Sequence, residues 1–195
     1  IHIIIGFMSK KYKFPMNLFL IFEKINPTIY TSDCLTINHY AILLPSEWYF
    51  TFFKALKNEL FYSFGTLSEM SAIDTLKYTK IFPENEYFNK SNRFLVYNIY
   101  YTYYAKIRLT LICSVKNNIP SIETIYKNAN WLEREVSEMF GVGFLNKKDS
   151  RPLLLDYSRN EFPMLKDFPT EGYYDIYYNF FENKLSYVQN EFIEL

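Results

Sequence analysis

Residues 93–115 read Arg-Phe-Leu-Val-Tyr-Asn-Ile-Tyr-Tyr-Thr-Tyr-Tyr-Ala-Lys-Ile-Arg-Leu-Thr-Leu-Ile-Cys-Ser-Val. β-Branched and aromatic residues dominate both halves, and such side chains suit a pleated, half-buried surface. Alternation puts Leu95, Tyr97, Ile99 and Tyr101 on one face of the first half, and Ile107, Leu109, Leu111 and Cys113 on one face of the second. The stretch therefore predicts an antiparallel hairpin near the centre of a sheet, ended by Asn117-Asn118-Ile119-Pro120.

Upstream of that hairpin, residues 35–44 begin with apolar–polar alternation and predict a strand, and residues 66–75 predict another. Between them, Ser46 follows Pro45 as the N-cap of a helix to about residue 60, with Trp48, Phe52, Ala55, Leu56 and Leu60 on the buried side. Nearer the start, Pro15 opens a helix carrying Leu18, Ile21, Phe22 and Ile25, stopped by Asn26-Pro27. Residues 81–92 are polar and predict a surface loop.

Downstream, Asn130 stands as N-cap with Glu133 at the capping-box position. Leu132, Val136, Met139 and Phe140 then line one helix face, Arg134 and Glu138 form an i, i+4 pair, and Gly141 occupies the left-handed cap. After Gly141 the chain shows little periodicity and is punctuated by Pro152, Pro163 and Pro169. Such a segment cannot make its own core and lies along something else. The expected fold class is α+β: a two-layer domain of mixed sheet packed by helices over residues 1–145, with an irregular, Pro-punctuated C-terminal arm over residues 146–195.

The chain has 195 residues, 49% of them apolar and 22% charged, which excludes disorder as a description of the whole. Twenty-one basic residues balance twenty-one acidic ones. A general electrostatic grip on nucleic acid or anionic lipid needs a basic surplus that is missing, and a near-neutral chain favours life inside an assembly. Aromatic residues reach 21%, with 19 Phe and 19 Tyr. Phe, Tyr, Ile, Asn and Lys share A/T-rich codons, so this bias fits an A/T-rich genome.

Cys34 and Cys113 read as two buried free thiols. Neither they nor His2 and His39 supply a metal-ligand pair at useful spacing, so no metal site is expected. The apolar runs near the start are interrupted by Lys10, Lys11 and Lys13 and fall short of the roughly 20 residues that span a bilayer. No direct membrane span and no import signal are expected.

Glu133, Glu135 and Glu138 crowd one short helix, but the first two point to opposite sides, so a solvated face is expected rather than a carboxylate site. Nucleotide and nucleophile-elbow motifs are missing. Tyr100-Tyr101-Thr102-Tyr103-Tyr104 offers an alternative function, a single-strand nucleic-acid-binding module that stacks bases, against a strand–turn–strand in the core. Lys166-Asp167-Phe168-Pro169 is displayed from a strip stiffened by Pro163 and Pro169, together with Asp149, Arg151, Asp156 and Arg159. A permanent protein interface and a tail clamped to its own domain both fit that strip.

Three motifs in order carry a resemblance. They are Asn130-Trp131-Leu132-Glu133-Arg134-Glu135-Val136-Ser137-Glu138-Met139-Phe140-Gly141-Val142-Gly143-Phe144, then Asp149-Ser150-Arg151-Pro152-Leu153-Leu154, then Pro163-Met164-Leu165-Lys166-Asp167-Phe168-Pro169 with Gly172-Tyr173. Over residues 131–173 the chain resembles the thirty-kilodalton peripheral-arm subunit family of respiratory complex I. Departures are Pro152 for a family arginine, Glu161-Phe162 for Gly-His, and Leu165 for another arginine.

The resemblance implies a non-catalytic scaffold on the matrix side of NADH:ubiquinone oxidoreductase in the mitochondrial inner membrane. It implies packing against the quinone-pocket (49-kDa-like) subunit and adjacent iron–sulfur subunits, with no cofactor bound by this chain. It marks Trp131, Glu133, Arg134, Glu135, Phe140, Gly141, Asp149, Arg151, Pro163, Lys166, Asp167, Phe168, Pro169 and Gly172 as signature and interface positions. Arg151, Lys166 and Asp167 would pair with charges on those partners. Mitochondrial encoding in an A/T-rich protist such as a ciliate fits the composition.

Overall fold

A computed structural model describes residues 30–36, 38–58, 65–76, 92–157 and 161–190. The helix expected over residues 15–25, nearly all of the loop at 81–92 and the Cys34 side chain lie outside the described parts. The predicted central hairpin forms from β4 (Phe94–Thr102) and β5 (Ile107–Val115), paired antiparallel from Phe94 opposite Val115 to Thr102 opposite Ile107. Its turn spans residues 103–106, where Lys106 takes a left-handed φ of 52°.

The single strand expected at 35–44 is instead two, β1 (Tyr30–Thr36) and β2 (His39–Leu44), reversed around Asn38 at φ 63°. Asn tolerates that left-handed conformation better than the β-branched residues beside it. β2 runs parallel to β5, and β3 (Thr66–Asp74) pairs antiparallel with β4. The five-stranded order β1-β2-β5-β4-β3 makes a mixed sheet with the hairpin inside it.

One face of this sheet carries Tyr40, Ile42 and Leu44 of β2, Leu109, Leu111 and Cys113 of β5, and Val96, Asn98 and Tyr100 of β4. On the other face of β4, Leu95 is buried and Tyr97, Ile99 and Tyr101 are half-buried. The row that packs against α1 is thus the one interrupted by Asn98, not the uninterrupted apolar one. That amide is buried against the Tyr49 hydroxyl at 3.1–3.3 Å, so its polarity is satisfied.

A 3-10 turn at Ser46–Trp48 leads into α1 (Tyr49–Asn58). Tyr49, Phe52, Phe53 and Leu56 are buried, whereas Trp48 is exposed and Pro45, not Ser46, stands at the N-cap. Phe53 packs 5.3 Å from Tyr100, and Tyr100 lies 5.1 Å from Tyr126, forming the aromatic wall between α1 and the sheet. Burial pushes the Cys113 thiol up to about 12.

Short β6 (Asn118–Pro120) and β7 (Gly143–Leu145) pair in parallel on either side of α2 (Ala129–Phe140) in sequence. α2 starts one residue before the predicted cap, with Asn128 at the N-cap position and no side-chain capping bond. Asn128 Nδ2 donates to the Leu67 carbonyl instead, holding the helix start on β3. Val136 and Phe140 are buried, with Leu132 and Met139 packed beside them. Gly141 takes φ 75° and its N–H bonds the Ser137 carbonyl, as predicted. The arm ends in an antiparallel hairpin, β8 (Tyr174–Asn179) and β9 (Lys184–Gln189), that its composition did not announce.

Candidate assembly interface

The helix α2 joins the core to everything after it, and its polar residues do the joining. Glu133 is wholly buried, contrary to the solvated face expected for the helix glutamates. Its Oε2 accepts from Ser121 Oγ at 2.7 Å and Lys147 Nζ at 3.1 Å, and its Oε1 accepts from the Ile122 N–H at 2.7 Å. Lys147 Nζ also donates to the Asn130 carbonyl at 2.9 Å and lies 3.6 Å from Glu123. Burial pushes the Glu133 carboxyl above the ordinary glutamate range, against the opposing pull of Ser121, Ile122 and Lys147. This cluster bolts the segments after β6 and β7 to the helix.

Glu138 is also buried, and does not pair with Arg134. Its carboxylate accepts from three consecutive backbone N–H groups, of Leu153, Leu154 (2.7 Å) and Leu155. Arg134 takes the matching carbonyls: Nε donates to Arg151 O at 2.7 Å and Nη2 to Pro152 O at 2.9 Å. One turn of α2 thus holds residues 151–155 by their main chain, which tolerates changes in side chain there. Glu135 alone of the three glutamates is exposed.

Farther on, the Phe162 ring lies over Gly141, where an added Cβ would stand 3.2 Å from it. The Met164 N–H bonds the Met139 carbonyl at 3.1 Å, and Leu165 packs against the core. Arg93 then bridges two carboxylates, Asp74 at 2.7 Å and Asp167 at 2.5 Å. Burial disfavours the ionised Asp74, but the Arg93 hydrogen bond and the Lys166 and Leu76 N–H groups outweigh it and hold the carboxyl below its usual value.

Of the signature positions, Phe140 is in the core and Trp131 is 64% exposed. Arg151 pairs with the neighbouring Asp149 at 2.8 Å, and the Arg151 hydrogen bonds hold the Asp149 carboxyl well below the ordinary range. Phe168 meets Tyr173 edge-on at 5.1 Å. Gly172 takes φ 73° and donates its N–H to the Pro169 carbonyl at 3.1 Å. Pro163 lies half-buried beside a shallow cleft with Leu155 and Ile176. The residues that sequence reasoning missed are Asp74, Arg93, Lys147 and Phe162, together with the burial of Glu138. Only Asp74 left a signal, as an acidic residue in step with Met70 and Ala72 on the core face of β3.

The β8–β9 hairpin turns Tyr174, Ile176 and Tyr178 to the same side as Leu185 and Tyr187, and all five are exposed. Among the described residues, no three His, Cys, Asp or Glu groups gather as metal ligands and no helix is long and apolar enough to cross a membrane.

A closed α+β domain that grips its own C-terminal strap and turns an aromatic hairpin outward is the build of an interface-bearing subunit. The chain belongs to the family described as the 30 Kd subunit of respiratory-chain NADH dehydrogenase, whose model matches residues 42–174. It is 39% identical over 185 residues to NADH-ubiquinone oxidoreductase subunit 9 of Paramecium primaurelia, covering 95% of this chain and 88% of that one. To subunit 9 of Reclinomonas americana it is 34% identical over 170 residues, covering 86% and 75%. Among solved structures, the trypsin-resistant fragment of Nqo5 aligns with a TM-score of 0.53 at 22% identity, covering 69% of this chain and 99% of the fragment, which shows a shared fold. The nucleic-acid alternative finds no support: the named relatives are respiratory subunits, and Tyr100 is sealed in the core.

Proposed function

We propose that this chain is a non-catalytic scaffold subunit of NADH:ubiquinone oxidoreductase, complex I, in the peripheral arm on the matrix side of the mitochondrial inner membrane. It supports electron transfer from NADH to ubiquinone by holding the quinone-pocket subunit and adjacent iron–sulfur subunits in place, and binds no cofactor itself. The observation that carries this reading is the family match, which runs without a break from β2 through α2 and the strap to Tyr174. The matched residues take in both domain and strap.

The same reading assigns residues 1–145 to the domain and 146–195 to the interface arm; the Nqo5 fragment, which aligns with 69% of the chain, shares the fold. Trp131 and Glu135 on α2, Arg151 and Lys166 on the strap and the aromatic hairpin face are the surface offered to partners.

A native gel of detergent-solubilised mitochondrial membranes, probed for this chain and stained for NADH dehydrogenase activity, tests the proposal. Co-migration with a very large active band is expected. Migration as a free protein near 23.5 kDa would overturn it.

A further inference from the structure

We infer that Asp74, Arg93 and Asp167 form a latch that lays residues 161–169 onto the domain within the chain itself, before any partner is met, and so aims the hairpin that follows. The inference deepens the proposed function and relies on it only for the existence of a partner. Three separate segments meet here: Asp74 closes β3, Arg93 precedes β4 and Asp167 belongs to the strap.

The Asp74 side chain is fully buried and accepts four hydrogen bonds. Leu76 N–H (3.0 Å) and Arg93 Nε (3.0 Å) donate to Oδ1, and Arg93 Nη2 (2.7 Å) and Lys166 N–H (2.9 Å) donate to Oδ2. A carboxylate withdrawn from water is strongly unfavourable without such donors. All four come from this chain, and one of them is the strap's own backbone.

Arg93 gives its other edge to Asp167, with Nη2 at 2.5 Å from Oδ1 and Nη1 at 3.3 Å from Oδ2. A planar guanidinium can serve two carboxylates in this way, whereas an ammonium is a single point charge. Pro163 and Pro169 fix φ near the start and at the end of the latched segment and reduce the freedom lost on docking. Beyond it, Asn190 bonds the carbonyls of Glu171 (3.0 Å) and Gly172 (3.2 Å), and its N–H bonds Tyr173 O at 3.0 Å. These contacts carry the strap's position to the base of the hairpin.

Amide hydrogen exchange on the purified full chain, with no other subunit present, tests the latch. The Leu165, Lys166 and Phe168 amides are expected to exchange at least about tenfold slower than in an unstructured peptide. Asp167→Asn and Arg93→Lys should each remove about tenfold of that protection while β4 and β5 keep theirs. Asp167→Asn leaves the buried Asp74–Arg93 pair intact, so it reports even if the Arg93 variant fails to fold.

Unstructured exchange of those amides in the wild-type chain would overturn the inference, as would unchanged protection in Asp167→Asn. The native gel answers a different question. A protected strap in a chain that never joins the complex would sink the proposed function and leave the latch standing; an unprotected strap in a chain that joins would do the reverse.

Discussion

The sheet and the strap are held by opposite means. In the sheet, side chains such as Leu109, Leu111 and Phe53 supply the contacts and the backbone pairs with itself. In the strap, the backbone is the captured part, and charged side chains of the domain (Arg134, Glu138 and Asp74) do the capturing. A core of the first kind punishes changes of shape. A clamp of the second kind punishes loss of a captor and is indifferent to many residues in the captured segment, since Arg134 and Glu138 take the main chain of residues 151–155 and not its side chains.

The largest effect should follow a break in the sheet's own logic. Phe53→Ala removes a fully buried ring and should cost about 3–5 kcal/mol, lowering the urea midpoint of the whole molecule, strap included. Next, Glu133→Ala takes the nearest carboxylate from the buried Lys147 ammonium and strands Ser121 and Ile122, and should cost about 3 kcal/mol, measured the same way. Glu138→Gln exchanges a carboxylate for an amide beneath three N–H donors and should cost about 2 kcal/mol. Its signature is regional: faster amide exchange at residues 153–155 with β4 and β5 unchanged. If Glu138→Gln instead unfolds sheet and strap together, the two regions are one cooperative unit and the contrast fails.

Gly141→Ala should cost about 1 kcal/mol for the left-handed backbone, plus whatever the Phe162 ring needs to move aside. The smallest effect depends on pH. Because the Asp74 carboxyl titrates below its unfolded value in the folded chain, it contributes stability above a pH of about 3.9, and that contribution fades as the pH falls through the folded value. Asp74→Asn should therefore lose more stability at pH 7 than at pH 3, and a urea midpoint that drops equally at both would refute the assignment.

The same contrast explains what the sequence disclosed. Strands β3, β4 and β5 and the helix α2 were legible because periodicity reports apolar burial directly. Which face of β4 meets α1 was not, since that row is interrupted by Asn98 and the opposite row reads as purely apolar. Glu133 and Glu138 resembled surface residues because their partners lie at 121–122 and 153–155, and no local pattern records a bond to another segment's backbone. The strap's place on its own domain was one of two readings its proline punctuation left open, and no local pattern showed Arg134 and Glu138 reaching its main chain. The β8–β9 hairpin did alternate, at Tyr174, Ile176 and Tyr178, but tyrosine suits core and interface alike, so the residues could not say which they served.

That hairpin has a consequence for supply. Among the described residues neither of its outer edges pairs with another strand, and Phe180 and Phe181 at its tip are exposed. Isolated two-stranded hairpins are marginal in water, and bare strand edges beside apolar side chains template aggregation. A molecule made in excess of whatever covers that face is a substrate for chaperones and proteases, so its steady-state abundance should track its partners' rather than its own rate of synthesis.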